Sequence, residues 1–496
     1  MQGFTRLSRL LNRNAWLVVL FSIAAFAVMG YHPGAEDDGV YLTAVQRDVN
    51  PALYPHDSAF FRLQLQATVF DKCMAAFVRF TGILIPWAEL LGQCASILLI
   101  VFACWRIARV LFAEEAARWG GVAMVAAMLS LPVAGTALYL ADFHLHPRNV
   151  ATALILLAAW RILAGARRQA IPLLAAAFLF HPIMAAMGIS FCFFLTLVLW
   201  EPAPRWLRFP GRSVAALAPL GWIFAPSNAL WRKALGTRTY YYLYKWTWYE
   251  WLGALAPLLL FWLLWRFARR RGDTMLAHFA LAVFLYGAFQ QLVAFAMLTP
   301  PQLIRLTPLQ PMRYLQLVYY FMALAAGALL GKYVLRARIW RWAVFLLLAN
   351  GVMLTAQVRQ FRGCAHLELP GMKPANPWLQ AFAWVRHNTP ADAYFALDPY
   401  YMAAPDEDYH SFRALAERSQ LADAIKDAAV VTQVPELALE WNRQVEAQAG
   451  WQRFKLADFD RLKREFGVDW VVVAYPAPAG LDCRWHNGLL AVCQVP

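Results

Sequence analysis

Three consecutive carboxylates, Glu36, Asp37 and Asp38, follow the first long apolar stretch of the chain within a few residues. Carboxylates crowded at a membrane interface repel one another, and they persist there when they are solvated, paired with cations or bound to a metal. A carboxylate within hydrogen-bond reach of an acceptor hydroxyl is also a suitable general base. The alternative is the solvated start of a loop. A second polar pair at the same surface, His56 and Asp57, favours a functional cluster.

A second polar segment contains Asp142, His144, His146, Arg148 and Asn149. Alternating Asp and His side chains can ligate a divalent cation such as Mg²⁺ or Mn²⁺, and an arginine can fork onto a phosphate. The alternative interpretation is a polar helix cap, in which Asn149 starts the next apolar helix. The segment therefore predicts either a metal and phosphate site or a cap.

Cations stand out in two later polar segments. Arg238 and Lys245 are interleaved with tyrosine and tryptophan, and Arg305 and Arg313 precede a late apolar stretch. Aromatic residues alone are typical of any membrane interface. The cations among them predict binding of an anionic lipid head group, such as a phosphate or pyrophosphate.

A scaffold of membrane helices must bring these groups together. The chain has 496 residues, of which 61% are hydrophobic and only 15% charged, and this composition excludes an ordinary soluble protein. The formal charge of +15 could indicate a nucleic-acid partner, but the placement of the charges favours membrane topology and no nucleic acid. Because a spanning helix needs roughly 20 mostly apolar residues, we predict spans near residues 15–31, 83–112, 119–140, 149–163, 213–225, 251–267, 275–298, 314–334 and 342–356.

The stretch 170–200 is too long for one ordinary helix, and His181-Pro182 interrupts it. We predict two short helices that enter and return on the same side; one kinked helix is the alternative. An ionisable residue inside a membrane, such as His181, is a candidate functional residue, although a histidine bonded at a helix break explains it equally well. With the hairpin counted as two helices, every basic cluster falls on one side, which predicts about eleven spans with the N-terminus inside and the C-terminus outside.

Hydropathy falls after residue 356, so we divide the chain into a transmembrane domain, 1–356, and a small extracytoplasmic α/β domain, 357–496. The first outer loop, 31–81, contains predicted amphipathic helices near 38–48 and 58–80, and the second outer loop is 141–149. In the terminal domain we predict helices near 378–388, 436–449 and 458–466, strands near 394–397, 429–432 and 470–474, and a hairpin that turns at Asn487-Gly488. Cys483 and Cys493 flank that hairpin, where they are either disulfide-bonded or free thiols.

The order of these parts resembles the GT-C superfamily of integral-membrane glycosyltransferases, which includes protein mannosyltransferases and lipid A aminoarabinose transferase. The resemblance runs over nearly the whole chain: an acidic motif after the first span, a long first outer loop, a polar second loop, late outer arginines and an outer C-terminal domain. The segments 36–57 and 142–154 are similar to those of bacterial members. The usual Asp-Glu pair is Asp37-Asp38 here, and histidines stand in the second loop where some families have two acids.

The resemblance implies an inverting transfer of a hexose or pentose from a polyprenyl-phosphate carrier to a hydroxyl of a lipid, glycan or protein. It places that reaction at the outer face of a bacterial inner membrane. It implies that Asp37 is the base, with Asp38 nearly as well placed. It also implies that Arg313, with Arg148 or Arg305, stabilises the departing phosphate.

Two rival function classes fit parts of the sequence. A secondary transporter uses broken helices near the bilayer midplane, which His181-Pro182 fits, but it predicts a symmetry between halves that we do not find. A ligase or flippase for lipid-linked glycans of the cell envelope, or a non-catalytic scaffold, is the other alternative. A scaffold would tolerate Asp37→Asn, whereas a transferase would lose activity.

Overall fold

Helices dominate the chain up to residue 360. The computed structural model describes residues 2–199 and 226–496. Proline occupies the first turn of several of these helices, where its missing N–H costs no hydrogen bond. In chain order the helices are α1 (Gln2–Met29), α2 (Asp38–Val49), α3 (Ala59–Leu65), α4 (Phe70–Thr81), α5 (Ile85–Leu111), α6 (Glu115–Ala127), α7 (Pro147–Leu163), α8 (Ala170–Phe180), α9 (Pro182–Val198), α10 (Ala229–Gly236), α11 (Trp248–Arg270), α12 (Thr274–Leu298), α13 (Leu315–Leu330) and α14 (Ile339–Gln360).

Several of these helices have the dimensions of membrane spans. Shorter apolar helical stretches cover Arg13–Met29 and Pro182–Val198. The chain is therefore a helical membrane protein, and the predicted total of about eleven spans stays a prediction. Among residues 2–199 and 226–496, five helical segments are long and apolar enough to cross a membrane, namely Ile85–Leu111, Trp248–Arg270, Thr274–Leu298, Pro311–Leu335 and Ile339–Gln360.

The predicted span near residues 119–140 is wrong. Helix α6 ends at Ala127, and the chain then forms a short antiparallel pair of strands, β1 (Pro132–Val133) and β2 (Leu138–Tyr139). Gly135 lies between the two strands at a φ of 62°, a conformation that favours glycine. The predicted span near 213–225 and the basic cluster at 205–212 lie outside the described residues.

Helices α8 and α9 form the predicted hairpin. His181 separates them with extended backbone, and its ring lies 6.0 Å from that of His146, just before α7. At the other end of the pair, the Arg167 guanidinium donates to the carbonyl of Leu199 over 2.9 Å. Because Arg167 precedes α8 and Leu199 follows α9, both outer ends of the pair lie at the same level. The alternative of one continuous kinked helix is therefore wrong.

Basic residues from the start of the chain and from around residue 332 lie together at one end of the helical bundle. Arg13 pairs with Glu115 over 3.0 Å, and Lys332 pairs with Glu114 over 2.8 Å. The first outer loop and the C-terminal region lie at the other end, because α1 leads from Arg13 to that loop. This one-sided distribution is the pattern that sets orientation in membrane proteins; the side of the membrane on which it lies stays a prediction.

The chain after residue 360 folds around a mixed five-stranded sheet in the order β4-β3-β5-β7-β6. Strand β3 is parallel to β4 and β5, whereas β7 is antiparallel to β5 and β6. Phe382 of α15 lies in the core on one face, and Phe459 of α19 lies in the core on the other. The elements are α15 (Pro377–Asn388), β3 (Tyr394–Ala396), α16 (Phe412–Ala416), β4 (Ser419–Gln420), α17 (Lys426–Gln433), α18 (Ala438–Ala447), α19 (Leu456–Phe466), β5 (Trp470–Ala474), β6 (Asp482–His486) and β7 (Leu490–Gln494).

One predicted element of the C-terminal region and one of the first outer loop need correction, while the other helices, strands and the terminal hairpin predicted for the C-terminal region are confirmed. The predicted strand near 429–432 lies in α17. Its β-branched residues favour a strand, but the Asp423 carboxylate accepts a hydrogen bond from the Ile425 amide over 2.7 Å and so supports a helix start. The predicted helix near 58–80 is divided into α3 and α4. Cys483 and Cys493 are disulfide-bonded.

A buried seam joins the first outer loop to the C-terminal region. Arg413 donates to both carboxylate oxygens of Asp427, over 2.7 and 2.9 Å, and also pairs with Asp57. These three side chains are at most 4% exposed. Gln46 and Tyr54 of the first loop donate to backbone carbonyls of α16 over 2.8 and 2.9 Å. The seam therefore fixes the loop and the C-terminal region as one unit.

We expect Arg413→Ala to lower the free energy of unfolding by about 3–5 kcal/mol, because it leaves two buried carboxylates without their cation. Thermal unfolding of the detergent-purified chain measures the loss. The matched control is Arg443→Ala, which removes an ion pair with Glu465 whose side chains are 51% and 38% exposed; it should cost less than about 1 kcal/mol. Equal unfolding temperatures for the two variants would contradict a structural role of the seam.

Candidate functional site

A cavity of about 400 Å³ lies at the end of the bundle that carries the outer loops. Its walls come from the start of α2, the start of α7, the break between α8 and α9, the segment before α13, and α17 of the C-terminal region. These five segments lie far apart in sequence and share one space, which we call the outer cavity. Its polar and ionisable lining residues include Asp37, Tyr41, His146, Arg148, His181, Tyr240, Tyr241, Gln310, Arg313 and Lys426.

Asp37 is the acidic residue in the lining of this cavity. It precedes α2, and its side chain is 41% exposed. One carboxylate oxygen lies 3.2 Å from the Lys426 ammonium, and the other lies 3.7 Å from His146 Nε2 and 3.9 Å from Arg148 Nη2. The carboxylate therefore faces three basic side chains from two distant parts of the chain.

The surrounding cations decide the protonation state of Asp37. Burial alone would raise the pKa of this carboxyl, but the charges of Lys426, Arg148 and His146 outweigh burial. They hold the pKa of Asp37 well below its usual range. Asp37 is therefore ionised at neutral pH and is available as a hydrogen-bond acceptor.

Arg148 is fixed by a bidentate ion pair with Asp142. Its Nε and Nη2 donate to the two carboxylate oxygens over 3.0 and 2.6 Å. Burial alone would raise the pKa of Asp142, but the charges of Arg148 and His146 outweigh burial and lower this pKa to about 2. Arg148 Nη1 is buried and has no hydrogen-bond partner among the described residues. One donor of this guanidinium thus remains open.

Arg313 contributes a second guanidinium with an open donor. It follows Pro311 at the start of a membrane span and lines the outer cavity. Its Nε is buried and lacks a partner in the part of the chain that the structure describes. A buried, unpaired N–H is costly, so an acceptor supplied by a ligand would stabilise it.

His181 and His146 lie beside these cations with their rings 6.0 Å apart. His181 Nδ1 accepts a hydrogen bond from the Met184 amide over 3.4 Å and so caps α9. His146 Nδ1 accepts from the Arg148 amide over 2.9 Å and caps α7. Both histidines therefore line the cavity and also cap a helix. The prediction that Asn149 caps the helix is wrong, because α7 already begins at Pro147 and His146 is its cap.

Sequence reasoning missed Lys426. Its ammonium pairs with Glu36 and Asp37, and it projects from α17 into the outer cavity. Nothing in the residues around Lys426 indicates a functional role. The first-loop carboxylates that it contacts lie about 390 residues away in sequence. Glu36, at a φ of 54°, binds this lysine beside the cavity, although it is not in the lining.

Asp38, the second candidate base, faces away from the outer cavity. Its Oδ2 accepts a hydrogen bond from the Gly34 amide over 2.6 Å, and the side chain is buried. Consecutive residues at a helix start point in different directions, so Asp37 and Asp38 cannot both reach the same cavity. His56 and Asp57 also lie elsewhere: His56 stacks on Tyr394 at 4.5 Å, and Asp57 belongs to the seam.

Three of the predicted phosphate-binding cations are outside the lining of the outer cavity. Arg238 donates to the carbonyl of Ile425, and Arg305 donates to the carbonyl of Pro226 over 2.6 Å. The Lys245 ammonium lies 4.9 Å from the ring of Tyr242. Sequence alone grouped these three cations with Arg313. In the structure, two of them bind backbone carbonyls and the third lies against an aromatic ring.

Asp142, His144 and His146 do not form the predicted metal site. Arg148 occupies both carboxylate oxygens of Asp142. His146 Nδ1 is occupied by a backbone amide, and His144 is buried with neither ring nitrogen bonded to a described residue. In residues 2–199 and 226–496, the group with metal-binding spacing is instead formed by His32, Glu368 and His410, outside the outer cavity.

The comparisons with known proteins give limited likenesses. Residues 376–447 match a family described as a domain of unknown function, DUF6798. No curated protein matches the chain. Solved structures similar to it include the oligosaccharyltransferase of Archaeoglobus fulgidus in its apo form and in complex with Zn and sulfate, each at 12% identity over 92% of this chain, with 69% and 68% of that chain covered and a TM-score of 0.44.

The same archaeal oligosaccharyltransferase, AglB, is similar in its complex with an inhibitory peptide and a dolichol-phosphate, at 11% identity over 92% of this chain and 69% of that chain, with a TM-score of 0.44. Zinc, peptide and dolichol-phosphate are ligands of that protein. A likeness at this level carries no functional argument, so the function proposed below rests on the outer cavity.

We expect Lys426→Met to raise the pKa of Asp37, because it removes the nearest cation from the carboxylate. Carbodiimides label protonated carboxyls, so the pH dependence of Asp37 labelling, read by mass spectrometry, reports the shift. In the unchanged protein, labelling should begin only at a pH well below the usual pKa of aspartate; in the variant, it should begin at higher pH. Lys233→Met, which removes an exposed pair with Glu446, should leave the profile unchanged.

Proposed function

We propose that this protein is a membrane glycosyltransferase that transfers a sugar from a polyprenyl-phosphate carrier to an acceptor hydroxyl with inversion. The observation that carries the proposal is one cavity lined both by an ionised carboxylate, Asp37, and by two arginines with unpaired donors, Arg148 and Arg313. A carboxylate suits a hydroxyl acceptor, and arginines suit a phosphate leaving group. The cavity thus contains a group suited to accept the hydroxyl proton and groups suited to stabilise the phosphate leaving group.

In the proposed reaction, the acceptor hydroxyl attacks C1 of the sugar from the face opposite the lipid phosphate. The bond from C1 to the phosphate oxygen breaks, and the phosphate leaves with the electron pair. Asp37 accepts the hydroxyl proton. Displacement of the Lys426 ammonium by the incoming substrate would raise the pKa of Asp37 and make it a better proton acceptor.

The donor phosphate would bind between Arg148 and Arg313. Preorganised cations at the position where negative charge develops are often the largest contribution to catalysis. Arg148 is held rigidly by Asp142 over 2.6 Å, so its open Nη1 is fixed in direction. Apolar residues of the lining, including Phe180, Ile183 and Leu309, would accept the isoprenoid part of the carrier from the side.

A secondary transporter explains this arrangement less well. Transporters bind their substrates near the bilayer midplane between helices, whereas the outer cavity lies at one end of the bundle and includes Lys426 from the C-terminal region. The basic clusters gather at the opposite end, so we propose a cytoplasmic N-terminus and an extracytoplasmic cavity in a bacterial inner membrane. A lipid-linked glycan ligase would use the same cavity with a diphosphate donor.

We expect Asp37→Asn to reduce sugar transfer at least about 100-fold, because the amide cannot accept the proton. The assay incubates the purified full chain with a panel of radiolabelled polyprenyl-monophosphate and polyprenyl-diphosphate sugars and an acceptor extract. Turnover with the monophosphate donors would indicate a transferase, and turnover with the diphosphate donors would indicate a ligase. Asp48→Asn, at the far end of α2, should change the rate less than about twofold; equal rates in Asp37→Asn and the unchanged protein would refute the role of the base.

We expect Arg313→Gln to weaken binding of polyprenyl phosphate and to lower transfer about 100-fold, in the range found for loss of one oxyanion donor. Native mass spectrometry of the detergent-purified protein measures the bound lipid without knowledge of the sugar. Arg305→Gln is the matched control, because Arg305 bonds to a backbone carbonyl outside the lining. Equal lipid binding in the two variants would contradict the proposed phosphate site.

A further inference from the structure

Three side chains with metal-binding chemistry meet outside the outer cavity. His32 follows α1, Glu368 follows α14, and His410 precedes α16. Glu368 Oε2 lies 3.0 Å from His32 Nδ1 and 3.0 Å from His410 Nε2. One potential ligand atom from each residue lies within 4.8 Å of the others. Both histidines are wholly buried, and the glutamate side chain is 15% exposed.

The backbone around this group is held by hydrogen bonds between three chain segments. Tyr31 and Leu367 form a parallel bridge, and Ala35 and His410 form an antiparallel one. The Glu368 amide donates to the Tyr31 carbonyl over 2.9 Å. Each of the three side chains is thus within one residue of a bridged position. Sites on rigid, paired backbone keep their ligands in place.

The hydrogen bonding of His410 orients its Nε2 towards Glu368. Its Nδ1 lies 3.1 Å from the carbonyl oxygen of Glu407, and because a carbonyl only accepts, this nitrogen carries a proton. Its Nε2 therefore faces Glu368 Oε2 at 3.0 Å, on the same carboxylate oxygen that His32 Nδ1 approaches. Either a proton or a metal ion can lie between the two atoms, and the experiments below separate these cases. A histidine whose other nitrogen donates to a backbone carbonyl is also the usual arrangement of a metal ligand.

We propose that His32, Glu368 and His410 bind a zinc ion that fastens the segment after the first membrane helix to the segment after the last. Two imidazoles and one carboxylate are a ligand set that suits Zn²⁺, with a water molecule in the fourth position of a tetrahedron. The His32 ring is packed 3.9 Å from the ring of Phe361, which holds that ligand in orientation. The zinc ion would lie outside the outer cavity and act independently of the proposed sugar transfer.

The experiment measures metal content of the full chain, purified in detergent without chelator, by inductively coupled plasma mass spectrometry. We expect about one zinc per chain in the unchanged protein and a loss of that zinc in His410→Ala and Glu368→Gln. His387→Ala, an exposed histidine of α15, should keep it. Zinc retained in His410→Ala, or an unchanged protein that neither contains nor takes up zinc, would overturn the proposal.

A second measurement covers variants that fail to fold. A zinc chelator added to the unchanged protein should lower its unfolding temperature, because the bound ion stabilises the folded state alone. Added Zn²⁺ should restore that temperature, whereas Mg²⁺ should not. An unfolding temperature that responds neither to the chelator nor to Zn²⁺ would show that an imidazolium pairs with Glu368 instead of a metal.

Discussion

The charge of Asp37 depends on cations that the chain brings from opposite ends of its sequence. Lys426 and Arg148 face the same carboxylate, at 3.2 and 3.9 Å. Neither cation could hold its own position without a partner, since Asp142 fixes Arg148 and Glu36 binds Lys426. The charged outer cavity therefore exists only when the first loop, the second loop and the C-terminal region are assembled together.

Much of this architecture was predictable from the sequence. Apolar length located the spans that the structure describes as single long helices, and His181-Pro182 predicted the hairpin of α8 and α9. Proline favours helix breaks and aspartate favours helix starts, so both can be predicted without tertiary information. The same is true of Asn487 and Gly488 at the turn of the terminal hairpin.

The predictions that are wrong concern residues whose roles depend on partners far away in sequence. Sequence alone grouped Arg305 with Arg313 and Asp38 with Asp37, because neighbours in sequence look equivalent. The fold separates each pair, since a backbone carbonyl takes Arg305 and the Gly34 amide takes Asp38. Lys426 carried no signal, because its meaning comes from a contact across about 390 residues. Likewise the sequence predicts Asp142 as a metal ligand, whereas in the structure Arg148 donates to both of its carboxylate oxygens.

The last membrane helix, α14, is almost entirely open to its surroundings, with only 6% of its apolar window buried inside the protein. The residues that follow this helix are positioned instead by backbone pairing of Leu367 and Glu368 with Tyr31, and the C-terminal region is held by the seam at Arg413. Most side chains of this helix face away from the protein; Met353 and Gln357 are its buried residues. Exchanges among apolar residues on the open face should therefore be tolerated, whereas loss of a buried charge in the seam should not.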